Sequence, residues 1–298
     1  MRHRLPADAL LLATVVIWGF NFSATKYALT HGFSPLSYSS IRFGVATVIF
    51  SGFTLGREGS LAVKRRDVPL LLGAAGLGIW LNQLSFVYAV RLTTAATVAL
   101  LFGTLPIFVA LFAQIAGVER LRRRHWLATA ISLSGVALVA AGAKGGLTAD
   151  LGGILLGLAA AVTWAAYSVA IGPLMRSYSP YRISAVVGLA GCVPLMASAI
   201  GQLLGQDWGE PNELAWAALV YGLLLSLVLT NILWFTAIER VGAARSSLYA
   251  NLQPFLGAVF ALVVLSEKLG PIQVAGGLVI GAGILVARQA RPPAPAID

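Results

Sequence analysis

When the chain is slid past itself by 148 positions, residues 88–106 lie over residues 236–254 without a gap. The register continues through Glu119 over Glu267, Leu121 over Leu269 and Gly135 over Gly283. Ala89, Ala95, Ala96, Leu100, Ala110, Phe112 and Ala113 also meet identical partners. Near the start of each half, Trp18 pairs with Trp164 at a slide of 146, and Pro35 with Pro180 at 145. A chain that repeats itself must fold as two copies of one unit. Two homologous halves are expected, 1–145 and 146–298.

The unit is made of apolar runs. A bilayer core of ~30 Å needs ~20 apolar residues per helix at ~1.5 Å rise each. Ten such runs are present, at roughly 8–29, 35–55, 68–90, 94–117, 126–143, 151–173, 181–204, 213–237, 242–265 and 271–288. Only 11% of residues are charged and 58% are hydrophobic, with a mean hydropathy of +0.84. A soluble domain carries about 25% charge, so the expected class is an all-α membrane protein of ten spans. The first run follows R-H-R but lacks a small-residue cleavage site, so it is expected to be retained.

Five spans per half is an odd number, so the halves must face opposite sides of the membrane. The charges agree. With the amino terminus in the cytoplasm, sixteen Lys and Arg fall in cytoplasmic connections, among them Arg57, Lys64, Arg65, Arg66 and Arg120 to Arg124. Only Lys26, Arg91, Lys144 and Lys268 fall on the other side. That positive-inside bias puts both termini inside. It also explains the net charge of +10 as an orientation signal rather than a nucleic-acid footprint. After Glu119 comes R-L-R-R-R, whereas after Glu267 comes K-L-G-P-I, so one template carries two charge decorations. This is the inverted-topology pattern of secondary transporters, whose sites lie near the midplane between the halves.

The two five-helix halves, W-G-F-N-F at 18–22 and the paired Pro and Glu segments resemble the drug/metabolite transporter superfamily with two EamA-type domains. The likeness covers essentially the whole chain. More narrowly, the chain is similar to bacterial amino-acid exporters of the YddG type. The resemblance implies that helices 1, 3, 4, 6, 8 and 9 line a central cavity, with 2, 5, 7 and 10 packed outside. It also implies a multi-pass protein of the bacterial inner membrane, carrying a small molecule and able to act as a monomer.

Candidate site residues fall on the same helices. Trp18 and Asn21, Trp80 and Gln83, Trp164 and Tyr167, and Asn231 and Trp234 each lie three apart on one helical face. At the 148 slide Gln83 lies over Asn231; at 146, Trp18 and Asn21 lie over Trp164 and Tyr167. Tyr249, Asn251 and Gln253 join them beside Pro254. Amides in lipid also glue helices together, and that reading stands beside the site reading for Asn21 and Asn82. Pro106 and Pro254 recur at one place in each half. A proline removes a hydrogen bond and frees the carbonyl four residues back, so both helices are expected to kink near their middles. A static packing kink and a hinge beside the cavity are both consistent with that. Glu119 and Glu267 are expected to cap helix ends or close gates. Arg42 is expected to snorkel to the outer interface, with attraction of an anionic cargo group as the second reading. The glycines of S-L-S-G-V and G-G-L-V-I-G-A-G fit close packing of helices 5 and 10.

The residue inventory excludes several functions. G-A-A-G-L-G at 73–78 lies within a span and follows no strand, so it is not a dinucleotide loop. There is no G-x-x-x-x-G-K-[ST] for ATP. The single Cys192 and three scattered histidines offer neither a disulfide framework nor a metal site, and no cofactor is implied. No Asp, Glu or His lies at mid-membrane to serve as a catalytic acid or base. A sugar-phosphate or nucleotide-sugar carrier would require several buried cations. A drug carrier, a passive channel and a membrane enzyme stand behind the leading expectation. That expectation is an exporter of neutral, apolar or aromatic amino acids.

Overall fold

Inside hydrocarbon a backbone must satisfy its own N–H and C=O groups, so apolar runs close into helices. The computed structural model describes residues 6–117, 123–142, 147–241, 246 and 249–288, without the side chains of 147–150, 287 and 288. Among the described residues all regular structure is helical. Eight helices are long and apolar enough to cross a membrane, and two shorter apolar helices follow them. The long ones are α1 (Ala7–Thr30), α2 (Pro35–Glu58), α3 (Arg65–Leu92), α4 (Ala95–Ile115), α5 (Arg123–Ala141), α6 (Leu147–Ile171), α7 (Pro180–Gly205) and α8 (Glu213–Val241). The shorter ones are α9 (Gln253–Val264) and α10 (Pro271–Arg288). These bounds follow the apolar runs closely, except that the ninth run is broken by a turn at Asn251–Leu252, with Tyr249 and Ala250 helical before it and α9 after it.

Local chemistry sets the ends. α2, α7 and α10 open on Pro35, Pro180 and Pro271, where the missing N–H costs nothing and the fixed φ favours the first turn. Thr94, Ser179 and Asn212 precede α4, α7 and α8, and each accepts a first-turn backbone N–H on its side chain. Gly59 ends α2 at φ 69°, a left-handed cap that only glycine adopts without strain.

Packing places α1 against α8 and α9, and α6 against α3 and α4. α2 lies along α7, α4 along α9, and α5 along α10. The last pair is held by absence of side chains. A Cβ on Gly135 would fall 2.7 Å from the Gly276 carbonyl, and one on Gly276 would fall 2.7 Å from the Gly135 carbonyl. Large apolar side chains such as Val48, Leu204, Val263 and Leu278 are mostly exposed around the outside, whereas Phe22, Leu29, Tyr38 and Leu101 are buried within. With lipid rather than water as the outer solvent, that exterior is satisfied, and the chain is a multi-pass membrane protein.

Three features depart from the expected helices. Pro106 and Pro254 do not kink continuous helices. α4 is interrupted at Gly103–Thr104, and its second stretch, Leu105–Ile115, starts beside Pro106. Asn251 and Leu252 form a turn ahead of Pro254, which sits in the first turn of α9. Each proline therefore occupies a helix start, and the backbone opens just before it. At the break in α4 the Leu101 carbonyl accepts both the Thr104 hydroxyl at 2.7 Å and the Thr104 backbone N–H at 3.0 Å. Second, α3 and α8 contain widened π-helical turns at Gly76–Leu81 and Tyr221–Leu229. At the 148 slide, 76–81 lies over 224–229, so the two widenings coincide. Third, α7 carries Pro194 inside its length, and the Ser198 hydroxyl bonds the Pro194 carbonyl at 2.8 Å.

Candidate functional site

Polar side chains inside apolar helices are costly unless paired. Their pairings here trace a seam from α3 through α2 to α1 and α8. Gln83 on α3 is 6% exposed. It accepts from Ser39 Oγ of α2 at 3.0 Å and donates to Asn82 Oδ1 at 3.0 Å. Three residues along the same face of α2, Arg42 donates to Asn21 Oδ1 of α1 at 3.3 Å and to the Gly222 carbonyl of α8 at 3.4 Å. The guanidinium also lies 5.0 Å from the Tyr38 ring centroid, a cation–π distance.

Arg42 does not snorkel. It is 2% exposed, with Nε and Nη1 buried and unpartnered. Snorkelling requires a free path to the interface. Arg42 instead points between α1 and α8, where Gly222 leaves room: a Cβ at 222 would fall 2.8 Å from Arg42 Nε. α2 is therefore not confined to the outside of the bundle, since one of its faces supplies Tyr38, Ser39 and Arg42 to the interior.

The widened turn of α8 explains how its backbone takes part. Wider turns misalign carbonyls from the regular ladder and free them for outside partners. Gly222 O receives Arg42. Ser226 O receives the Trp18 indole N–H at 3.2 Å, which also reaches Thr230 Oγ1 at 3.0 Å. Trp18 packs on Trp234 with ring centroids 5.1 Å apart, and Trp234 and Tyr249 border one apolar cluster with Leu10 and Leu11. Asn231 bonds back to the Leu227 carbonyl at 2.6 Å. On the other side, Trp164 and Tyr167 of α6 lie 5.2 Å apart. The Tyr167 ring rests where Gly78, in the widened turn of α3, has no side chain. Trp80 donates its indole N–H to Ser198 of α7 at 2.9 Å.

The sequence-derived residues thus form two groups. Trp18, Asn21, Asn231, Trp234 and Tyr249 lie on the α1/α8/α9 side; Trp80, Gln83, Trp164 and Tyr167 lie on the α3/α6 side. Ser39 and Arg42 join them. Asn251 and Gln253 are half-buried at the start of α9. Asn82 bonds the Ala160 carbonyl and Thr163 Oγ1 of α6, as a helix-gluing amide does. The sequence reading does not reach Tyr38, Ser39, Gly222 and Ser198; for Tyr38 and Ser39 the signal is the polar run S-Y-S-S-I-R at 37–42, unusual inside a span.

Both ends of the bundle are tied by charge. Glu267, between α9 and α10, accepts Ala95 N and Ala96 N at 2.9 Å each, one on each carboxylate oxygen. It caps the start of α4. Glu119 lies outside the described residues. At the opposite end of α2, Glu58 pairs with Arg182 of α7 at 2.8 Å and accepts from Ser179 Oγ. Nearby, Tyr178 donates to Asp67 at 2.6 Å, which holds its phenol above the ordinary tyrosine pKa. Among the described residues no three His, Cys, Asp or Glu cluster as metal ligands.

An apolar helical bundle with a buried polar seam and paired backbone defects has the build of a membrane transporter. The chain belongs to the EamA-like transporter family, which matches residues 5–141 and again 151–289. Relatives span nearly its full length. The probable terminal-alkyne amino-acid exporter of Streptantibioticus cattleyicolor is 28% identical, over 93% of this chain and 91% of its own. The probable amino-acid metabolite efflux pump of Salmonella typhimurium is 27% identical, over 93% of each chain. The uncharacterized transporter YetK of Bacillus subtilis is 25% identical, over 96% of this chain and 88% of its own. A crystal structure at 20% identity superposes with a TM-score of 0.66, over 95% of this chain and 96% of that one, which shows the fold. The protein is a membrane transporter and not an enzyme.

Proposed function

We propose that this transporter exports neutral amino acids with large apolar or aromatic side chains, by alternating access between inverted halves 1–145 and 146–298. The observation that carries the cargo reading is the interior seam: amides and aromatic rings around one cation, with no carboxylate in it. Amides offer both donors and acceptors to a zwitterion. Rings add ~0.5–1.5 kcal/mol per aromatic pair beyond burial. A doubly charged phosphate needs more than one fixed cation, so a sugar-phosphate cargo fits poorly. The names of two relatives point to amino acids as well. The test is counterflow in proteoliposomes of labelled Phe and Leu against Asp, Lys and a sugar phosphate. Phe and Leu are expected to exchange fastest; preference for the phosphate removes the basis of this reading.

The inverted arrangement draws support from the packing. α1 meets α8 and α9 as α6 meets α3 and α4, and α2–α7, α4–α9 and α5–α10 are pairs of counterparts. We place ten spans in the bacterial inner membrane with both termini cytoplasmic, on the charge bias of the connections. In a Cys192→Ser background, a cysteine at Arg123 is expected to react only after the membrane is opened. Labelling by an outside-only reagent overturns the topology.

A further inference from the structure

We propose that Arg42 is the carboxylate anchor of the cargo site, an inference that rests on the amino-acid reading above and names the contact that selects for it. Four observations carry it. Arg42 is buried on the inner face of α2, yet Nε and Nη1 have no partner. Its two bonds, to Asn21 Oδ1 and Gly222 O, are long at 3.3 and 3.4 Å, whereas guanidinium–carboxylate bonds run about 2.7–2.9 Å. No carboxylate among the described residues lies within ion-pair distance of it. Gly222 leaves space for the guanidinium, and the widened turn around it turns a carbonyl toward it.

A structural arginine in an apolar bundle saturates its donors or reaches the interface; this one does neither. Intramembrane cations of this kind mark ligand paths. A cargo carboxylate supplies the missing negative charge and takes a guanidinium fork made of one unpartnered nitrogen, Nε or Nη1, together with Nη2. Nη2 then gives up its two weak bonds, to Asn21 Oδ1 and Gly222 O. Asn21 Oδ1 and Gly222 O are then released as acceptors for the cargo ammonium group, so one cluster meets both ends of the zwitterion. The tyrosine ring of Tyr38, already against the guanidinium, holds the fork in place.

The test uses the full chain in detergent and in proteoliposomes. Binding of phenylalanine, 3-phenylpropionate (carboxylate only) and phenylethylamine (amine only) is measured for wild type, Arg42→Gln, Arg42→Lys and Gly222→Ala, alongside phenylalanine counterflow. Arg42→Gln is expected to raise the half-saturating concentration of the two carboxylates at least tenfold and to leave phenylethylamine within about twofold. Arg42→Lys, which keeps the charge but loses the fork, and Gly222→Ala, whose Cβ displaces Nε, shift the carboxylates in the same direction. If Arg42→Gln fails to fold, those two variants decide. Equal weakening of all three ligands means a structural role and overturns the inference. Unchanged binding of all three overturns it too. If wild type exchanges phenylalanine but the variants are unselective, the anchor alone falls. If wild type neither binds nor exchanges phenylalanine, the amino-acid reading falls with it.

Discussion

Gln83→Ala combined with Trp164→Ala is expected to slow phenylalanine counterflow by about ten- to a thousandfold, while Trp126→Ala leaves it within about twofold. The estimate is built from the seam. Removing the Gln83 amide leaves Ser39 Oγ without its acceptor in an interior where Gln83 is 6% exposed. An orphaned buried group costs ~1–3 kcal/mol. Loss of the Trp164 ring removes ~0.5–1.5 kcal/mol of aromatic contact. Their sum, ~1.5–4.5 kcal/mol at ~1.4 kcal/mol per decade, gives that range. Trp126 is 51% exposed on the outer face of α5 and serves as the control for tryptophan loss as such. Melting temperatures of the single variants separate destabilisation from lost binding. Transport of every solute unchanged in the double variant removes these two residues from the site.

The sequence carries the coarse fold because its signals are local. Apolar length and prolines at helix starts each depend on a few adjacent positions. The glycines of α5 and α10 were also legible, since close approach of two helices demands small residues wherever it occurs. The fate of Arg42 was not. Whether a long cation near a helix end snorkels or turns inward depends on the space opposite, and that space is Gly222, 180 positions away in the chain. The widened turns were hidden for a related reason. A π turn is chosen by what the released carbonyls and the wider radius can accommodate: Trp18 and Arg42 at α8, the Tyr167 ring at α3. Gly76, Gly78 and Gly222 were visible, but glycine in a span equally means close packing. The prolines mark the right places and mislead about geometry, because a proline in an apolar run can start a helix as well as bend one. The bundle chose the first, and at the break before Pro106 the Leu101 carbonyl takes both the hydroxyl and the N–H of Thr104.

Glu267→Ala is expected to lower the melting temperature and to reduce counterflow, with Glu267→Gln falling between alanine and wild type. The carboxylate takes two first-turn N–H groups of α4, Ala95 N and Ala96 N, one on each oxygen. Losing a cap of this kind costs ~0.5–2 kcal/mol. Losing the negative charge at a helix N-terminus costs a further ~0.3–1 kcal/mol. Glutamine keeps one oxygen acceptor and loses the charge, so it retains part of both. The consequence reaches beyond α4, because Glu267 belongs to the α9–α10 connection and fastens the second half of the chain to the first. The same pair of variants separates two roles for this carboxylate. If Glu267 were the proton carrier of a coupled transporter, alanine and glutamine would be equally inactive, since neither titrates. Collapsing the proton gradient would then stop accumulation in wild type. An anchor predicts graded loss and counterflow that is indifferent to the gradient. The interior seam, which holds amides, rings and an arginine but no Asp, Glu or His among the described residues, has no other group to take the proton.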